Sequence, residues 1–311
     1  MRIKKLTVAL ATSSVFMSGA AMAAPFYIAA PDGTDDGKTQ AVYELGINWE
    51  ATSVYTTNGA DNSGFAWNVD TNSFEFAAAP NGNPVDVGDS VKDSGAGTVS
   101  GLLDAGAQEI GLGNQNGNFD NAGFGNTWAL NYKYIDLTGV VVYEDNNAVG
   151  SGGSADNPWY NILARYTGTV EAPAGVIEVS YTNGGETYRV MNLGVIDSTA
   201  SIGNIILTAF VDFTDTDARA QDMFFFMDNS NWYDTWLAGG PLTMSISARI
   251  DSNLDANENP RLAEGSTTEY IRVSTLDGSV EFNPVPEPGV LALLGIGLLG
   301  LGAARRNKKA A

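Results

Sequence analysis

Two stretches of the chain gather residue types that do chemistry. The loop Asp251-Ser252-Asn253-Leu254-Asp255-Ala256-Asn257 sets side-chain oxygens at alternate positions, on Asp251, Asn253, Asp255 and Asn257. A hard Ca²⁺ ion takes about six to eight such oxygens from a tight loop. Two positions depart from that pattern. Ala256 stands where glycine permits the sharp turn, and Leu262 stands where a bidentate Glu completes the shell, leaving Glu258 or Glu264 to close it by another geometry. The plainer reading is an Asx-rich turn whose side chains bond their own backbone. A second acidic group, Asp212, Asp215 and Asp217, directly follows an apolar strand and reads as a solvated strand end.

The other stretch runs from Asp222 to Trp236. Here Trp232, Tyr233 and Trp236 stand beside Asp228, Asn229, Asn231 and Asp234. Flat rings cover the apolar face of a pyranose while amides and carboxylates take its hydroxyls, so the three aromatics are candidates for carbohydrate contact. Against this, aromatic side chains carry large burial energy and fill the cores of β domains. Phe224, Phe225 and Phe226 in succession point to both faces of a strand, so both faces are covered or a bulge intervenes. Gly111-Leu112-Gly113 does not make a nucleotide loop. Its third glycine arrives at Gly117, with no basic residue or helix signal beside it.

Absences narrow the chemistry further. The chain has no histidine and no cysteine. That removes Ser-His-Asp triads, thiolate nucleophiles, disulfides and every histidine- or cysteine-ligated metal site. Between Ala24 and Pro284, nine Lys and Arg face 35 Asp and Glu, so the body repels nucleic acid and anionic lipid and stays soluble. No nucleic-acid partner is expected.

The elements that must position these residues read as strands. Leu242, Met244, Ile246, Ala248 and Ile250 alternate with polar residues, a period of two. Ile177, Val179 and Tyr181 alternate too, and Asn183-Gly184-Gly185 then turns the chain into Tyr188 and Val190, a hairpin. Ile271 and Val273 lead through Asp277-Gly278 to Val280 and Phe282, which predicts a second hairpin. Val42–Trp49, Tyr134–Tyr143 and Ile205–Phe213 are further strand candidates. Gly-, Asn- and Asp-rich segments separate them, and no long helical stripe interrupts the body. The expected fold is all-β, a single domain of sandwich or jelly-roll type.

Both ends read as addresses. Arg2, Lys4 and Lys5, an apolar stretch and then Ala21-Met22-Ala23 have the order of a secretory signal peptide, with cleavage between Ala23 and Ala24. At the other end, Pro286-Glu287-Pro288 forms a stiff extended stalk, because two prolines remove donors and restrict φ. The uncharged run Gly289–Ala304 follows. Its 16 residues span ~24 Å as a helix, slightly short of a bilayer core of ~30 Å. Arg305, Arg306, Lys308 and Lys309 then hold the cytoplasmic side. The chain divides accordingly into a signal peptide (1–23), an acidic β-rich body (24–284) and a sorting segment (285–311).

Pro286-Glu287-Pro288, the glycine-rich apolar run and the basic cluster begun by Arg305 and Arg306 together resemble a PEP-CTERM sorting signal. The resemblance implies export across the inner membrane of a Gram-negative bacterium that makes extracellular polysaccharide. It implies anchoring by the C-terminal helix, processing by an exosortase near Pro-Glu-Pro, and delivery to the cell surface or matrix. The segment Asp222–Trp236, with Ile246–Asp255, is similar to PEP-CTERM proteins associated with flocculation. That narrower resemblance implies a part in gathering cells with exopolysaccharide, and it carries over no catalytic residue.

Three function classes follow. The first is a non-catalytic surface or matrix protein of flocs or biofilms, and it is the expectation. The second is a carbohydrate-binding module, which needs Trp232 and Trp236 on one exposed face. The third is a polysaccharide-degrading enzyme built on a carboxylate pair, whose spacing across a sheet no sequence reveals. No cofactor is expected beyond the candidate Ca²⁺.

Overall fold

The alternating runs become strands, with their apolar members inside. Leu242, Met244 and Ile246 are buried, and so are Ile177, Val179, Tyr181, Tyr188 and Val190. The computed structural model describes residues 25–29, 38–57, 65–68, 73–76, 85–111, 121–145, 161–201, 204–240, 242–250 and 260–281. Its strands are β1 (Phe26–Ile28), β2 (Glu44–Thr56), β3 (Phe65–Asn68), β4 (Ser73–Phe76), β5 (Ser90–Leu103), β6 (Trp128–Asp145) and β7 (Asn161–Arg165). They continue with β8 (Val176–Asn183), β9 (Glu186–Ser201), β10 (Asn204–Asp212), β11 (Phe224–Phe226), β12 (Thr243–Ile250), β13 (Arg261–Leu262) and β14 (Glu269–Glu281). A short helix, α1, covers Trp232–Leu237.

Strands β2, β5, β6, β8, β9, β10, β12 and β14 pair antiparallel, each with the next. The ladder then returns to its start, because β14 pairs both with β12 and with β2. The result is a closed up-and-down barrel of eight strands. Strand β7 joins the second half of β6, where β8 does not reach, and β13 lies along the start of β14.

The all-β expectation holds, but the pairing is that of a meander barrel instead of a sandwich or jelly roll. Strand length supplies the reason. β2, β5, β6, β9 and β14 have 13 to 18 residues each. Twist accumulates along strands this long, and closing the sheet pairs the edge groups that an open sheet leaves free. Register shifts between Gly46 and Ile47, Asp93 and Gly95, Val179 and Ser180, and Thr208 and Ala209 bend the strands around the barrel.

The hairpin at Asn183-Gly184-Gly185 forms as expected, with φ of +57° and +92° at its two glycines, a region open to residues without Cβ. The hairpin expected at Asp277-Gly278 does not form. Both residues lie inside β14, opposite Asn48 and Ile47 of β2 on one side and Arg249 and Ala248 of β12 on the other. Paired on both flanks, an Asp-Gly step stays extended despite its turn propensity.

One end of the barrel is capped. Strand β1 pairs with β11, and Phe26 exchanges backbone hydrogen bonds with Val42, just before β2. Phe26, Ile28 and Phe224 are buried in one cluster with the barrel interior. Helix α1 follows β11 and presses Trp232 into the same cluster.

Candidate functional site

Side chains that face the barrel interior come from each of its eight strands, so polar residues there are collected from distant parts of the sequence. Arg272 on β14 sits directly opposite Ser53 on β2, and Ser53 sits directly opposite Asp93 on β5. These three form a polar row across neighbouring strands. Tyr55, two residues on from Ser53, shares its inward face, and the Tyr166 hydroxyl donates to Asp93 Oδ2. Arg272 is 5% exposed and Tyr166 3%.

Tyr166 is held from two directions. Its backbone N–H donates to the Ser198 hydroxyl at 2.8 Å, and its ring lies over Gly139 of β6. A Cβ at Gly139 would stand 2.8 Å from that ring and 2.9 Å from the Arg165 carbonyl oxygen. Gly139→Ala is therefore expected to cost about 1–3 kcal/mol through overpacking, read by urea unfolding. A variant as stable as the parent would mean that the ring moves aside freely.

Electrostatics in the row follow from burial. Removal from water pushes the Asp93 carboxyl up to about 6, while contact with Ser53 and the charge of Arg272 pull it down without cancelling the shift. Burial likewise raises the Tyr55 hydroxyl, opposed by Arg272. The row borders a cavity of about 130 Å³ whose wall is otherwise mostly apolar.

The sequence reading missed this row. On β14 the local pattern assigns Ile271 and Val273 to the inward face, yet Val273 is 44% exposed and Arg272 is buried. A weak signal was present. Tyr270, Arg272 and Ser274 share the parity of Val280, which is buried, and that parity runs unbroken once Asp277-Gly278 is read as strand.

The aromatic stretch is placed differently from a sugar platform. Trp232 is 3% exposed, with ring centroids 5.1 Å from Phe224, 5.3 Å from Phe26 and 5.6 Å from Phe226. It fills the cap and shares no exposed face with Trp236. Tyr233 and Trp236 are half-buried, both set edgewise against Phe213. Phe225 faces the other side of β11, where Lys38 Nζ lies 3.5 Å from its ring centroid.

The polar residues nearby already have work. Asn231 caps α1 by accepting from the N–H groups of Tyr233 and Asp234, and its Nδ2 donates to Asp222. Asp228 accepts from the Ser230 N–H and hydroxyl, which holds its carboxyl below the usual range. Asn229 accepts from Lys38.

Of the acidic group Asp212, Asp215 and Asp217, the first and last are likewise used locally, and Asp215 is exposed. Asp212 accepts from Thr214, and Asp217 caps the turn Ala218–Ala220 and pairs with Arg219, whose contacts lower its carboxyl. Among the described residues no three His, Cys, Asp or Glu side chains gather as a metal site. Asp251, Asn253, Asp255 and Asn257 lie outside the described residues, as do Ala21, Ala23, Ala24, Pro286, Glu287, Pro288, Arg305 and Arg306. Among those described, no helix is long and apolar enough to cross a membrane.

Fold and interior together define an all-β barrel with a polar row beside an internal cavity. The particular assignment comes from the tail. Residues 284–307 match the PEP-CTERM protein-sorting motif. The motif marks an exported protein that an exosortase processes, anchored in the membrane beforehand and ending at the cell surface. No curated protein and no solved structure matches the chain.

Proposed function

We propose that this is a non-catalytic protein of the surface or extracellular matrix of a Gram-negative bacterium, acting with exopolysaccharide in floc or biofilm formation. The sorting motif at residues 284–307 carries this reading, since it delivers the acidic body to the place where matrix is built. The lack of histidine and cysteine adds support, because it leaves carboxylates and hydroxyls as the main groups for any hydrolysis. The strongly acidic body adds more, as it suits neutral polymers and cations better than polyanions.

Gene deletion tests it. Loss of the protein should reduce aggregation and biofilm while leaving polysaccharide hydrolysis unchanged, and the full chain should restore both. A chain with Pro286-Glu287-Pro288 replaced by three alanines should accumulate uncleaved in the inner membrane and fail to restore aggregation. Normal flocs in the deletion strain would end the proposal. Lost hydrolysis would instead favour a carboxylate enzyme.

A further inference from the structure

We propose that the barrel interior is a binding site for one small uncharged organic molecule. Its body is apolar and about the size of benzene, and it carries a single head that both accepts and donates a hydrogen bond, a carboxamide being the simplest case.

Size comes first. Eight strands leave an interior that side chains can fill or that holds one small ligand. Here filling is incomplete, and about 130 Å³ remains. An apolar void on the order of 150 Å³ accommodates benzene or xenon. Leu130, Val179, Met191 and Met244 contribute to the wall, so the body of the ligand is apolar.

The head is defined by two orphaned atoms. Arg272 Nε, a donor, and Asp93 Oδ1, an acceptor, have no hydrogen-bond partner among the described residues, and both residues line the cavity. A buried orphan is costly, so such atoms ask for a partner. One wants an acceptor and the other a donor. The rest of the row is already engaged, with Tyr166 on Asp93 Oδ2 and Tyr55 beside Arg272. Such a row is preorganised, which lowers the cost of binding. Charge completes the description. Guanidinium and carboxylate face the same space, so an anion meets Asp93 and a cation meets Arg272, and a neutral head with both functions meets neither penalty.

Calorimetric titration of the full chain with benzamide, toluene and benzoate tests this at about pH 7.5. Benzamide should saturate a single site at least about tenfold more tightly than toluene, the margin a satisfied pair of buried partners supplies, with benzoate weaker than benzamide. Val179→Trp, which fills the cavity, should abolish binding of all three. Arg272→Lys keeps the charge but removes Nε, and should weaken benzamide by about tenfold while changing toluene by less than about threefold. Val273→Thr, on the outer face of the same strand, should change nothing.

No saturation by benzamide would overturn the proposal. So would benzamide binding that survives Val179→Trp, because the molecule would then sit elsewhere. Toluene binding as tightly as benzamide would also overturn it, since water would already satisfy the pair. Should Val179→Trp fail to fold, the Arg272→Lys comparison decides by itself.

Discussion

Replacing Trp232 with alanine is expected to remove about 3–5 kcal/mol of folding stability and to leave any binding of matrix polysaccharide unchanged. The size follows from the packing. Trp232 is 3% exposed and touches Phe26, Phe224 and Phe226, so truncation opens a hole bounded by three rings that strand pairing and the α1 cap hold in place. The surroundings collapse little, which puts the cost toward the upper part of the range for large aromatic deletions. At about 2–4 °C per kcal/mol for a chain of this size, the melting temperature should fall on the order of 10 °C. Leu237→Ala, at the end of the same helix and 66% exposed, is the matched control and should stay within about 0.5 kcal/mol. A Trp232→Ala protein that melts like the parent but loses polysaccharide binding would return this residue to the surface and restore the sugar-platform reading.

The second large effect has the opposite sign. Asp93→Asn is expected to stabilise the protein at neutral pH by about 3 kcal/mol. The Asp93 carboxyl titrates at about 6 in the folded protein, against ~3.9 in an unfolded chain. Between about pH 4 and pH 6 the folded state therefore holds the proton more tightly. Stability falls as pH rises through that window and levels off above it, by ~1.4 kcal/mol for each pH unit of displacement. Asparagine resembles the protonated acid, keeps an oxygen to accept from Tyr166, and never ionises. The attraction of Arg272 is already contained in the displacement, so it does not reverse the sign. Urea unfolding of both proteins at about pH 4, 5, 6 and 7.5 reads the effect. The curves should meet near pH 4 and separate toward neutral pH. Parallel curves, or a destabilised variant at pH 7.5, would show that Asp93 enters the folded state ionised at little cost.

How much was legible depended on how far each signal reached along the chain. The strand around Met244 and Ile246 and the hairpin through Gly184 and Gly185 are local patterns, and both formed as read. Asp277-Gly278 carries an equally local turn signal, yet β2 and β12 flank it and hold it extended. On β14 the hydrophobic pattern chose the wrong face, because the barrel takes Arg272 and Ser274 inside and leaves Val273 partly in solvent. Such an inversion is legible only when the polar residues opposite are known, and those belong to other strands. The aromatic cluster shows the same limit. Composition near Trp232 suits a sugar site and a core equally well, and only the pairing of β1 with β11 turns its ring inward.

The sequence by itself determined the route and the excluded chemistry. Pro286-Glu287-Pro288 with its apolar run and basic end is read as a linear string, and no folding can create the missing histidine or cysteine. It also determined the strand-rich class, since alternation and glycine turns act over a few residues. Tertiary structure alone decided that the sheet closes and that Arg272, Ser53 and Asp93 stand side by side. The physical reason is register. Which side chains share the interior is set by which strands become neighbours and by each bulge between them, and one residue of slip would exchange the inner and outer faces.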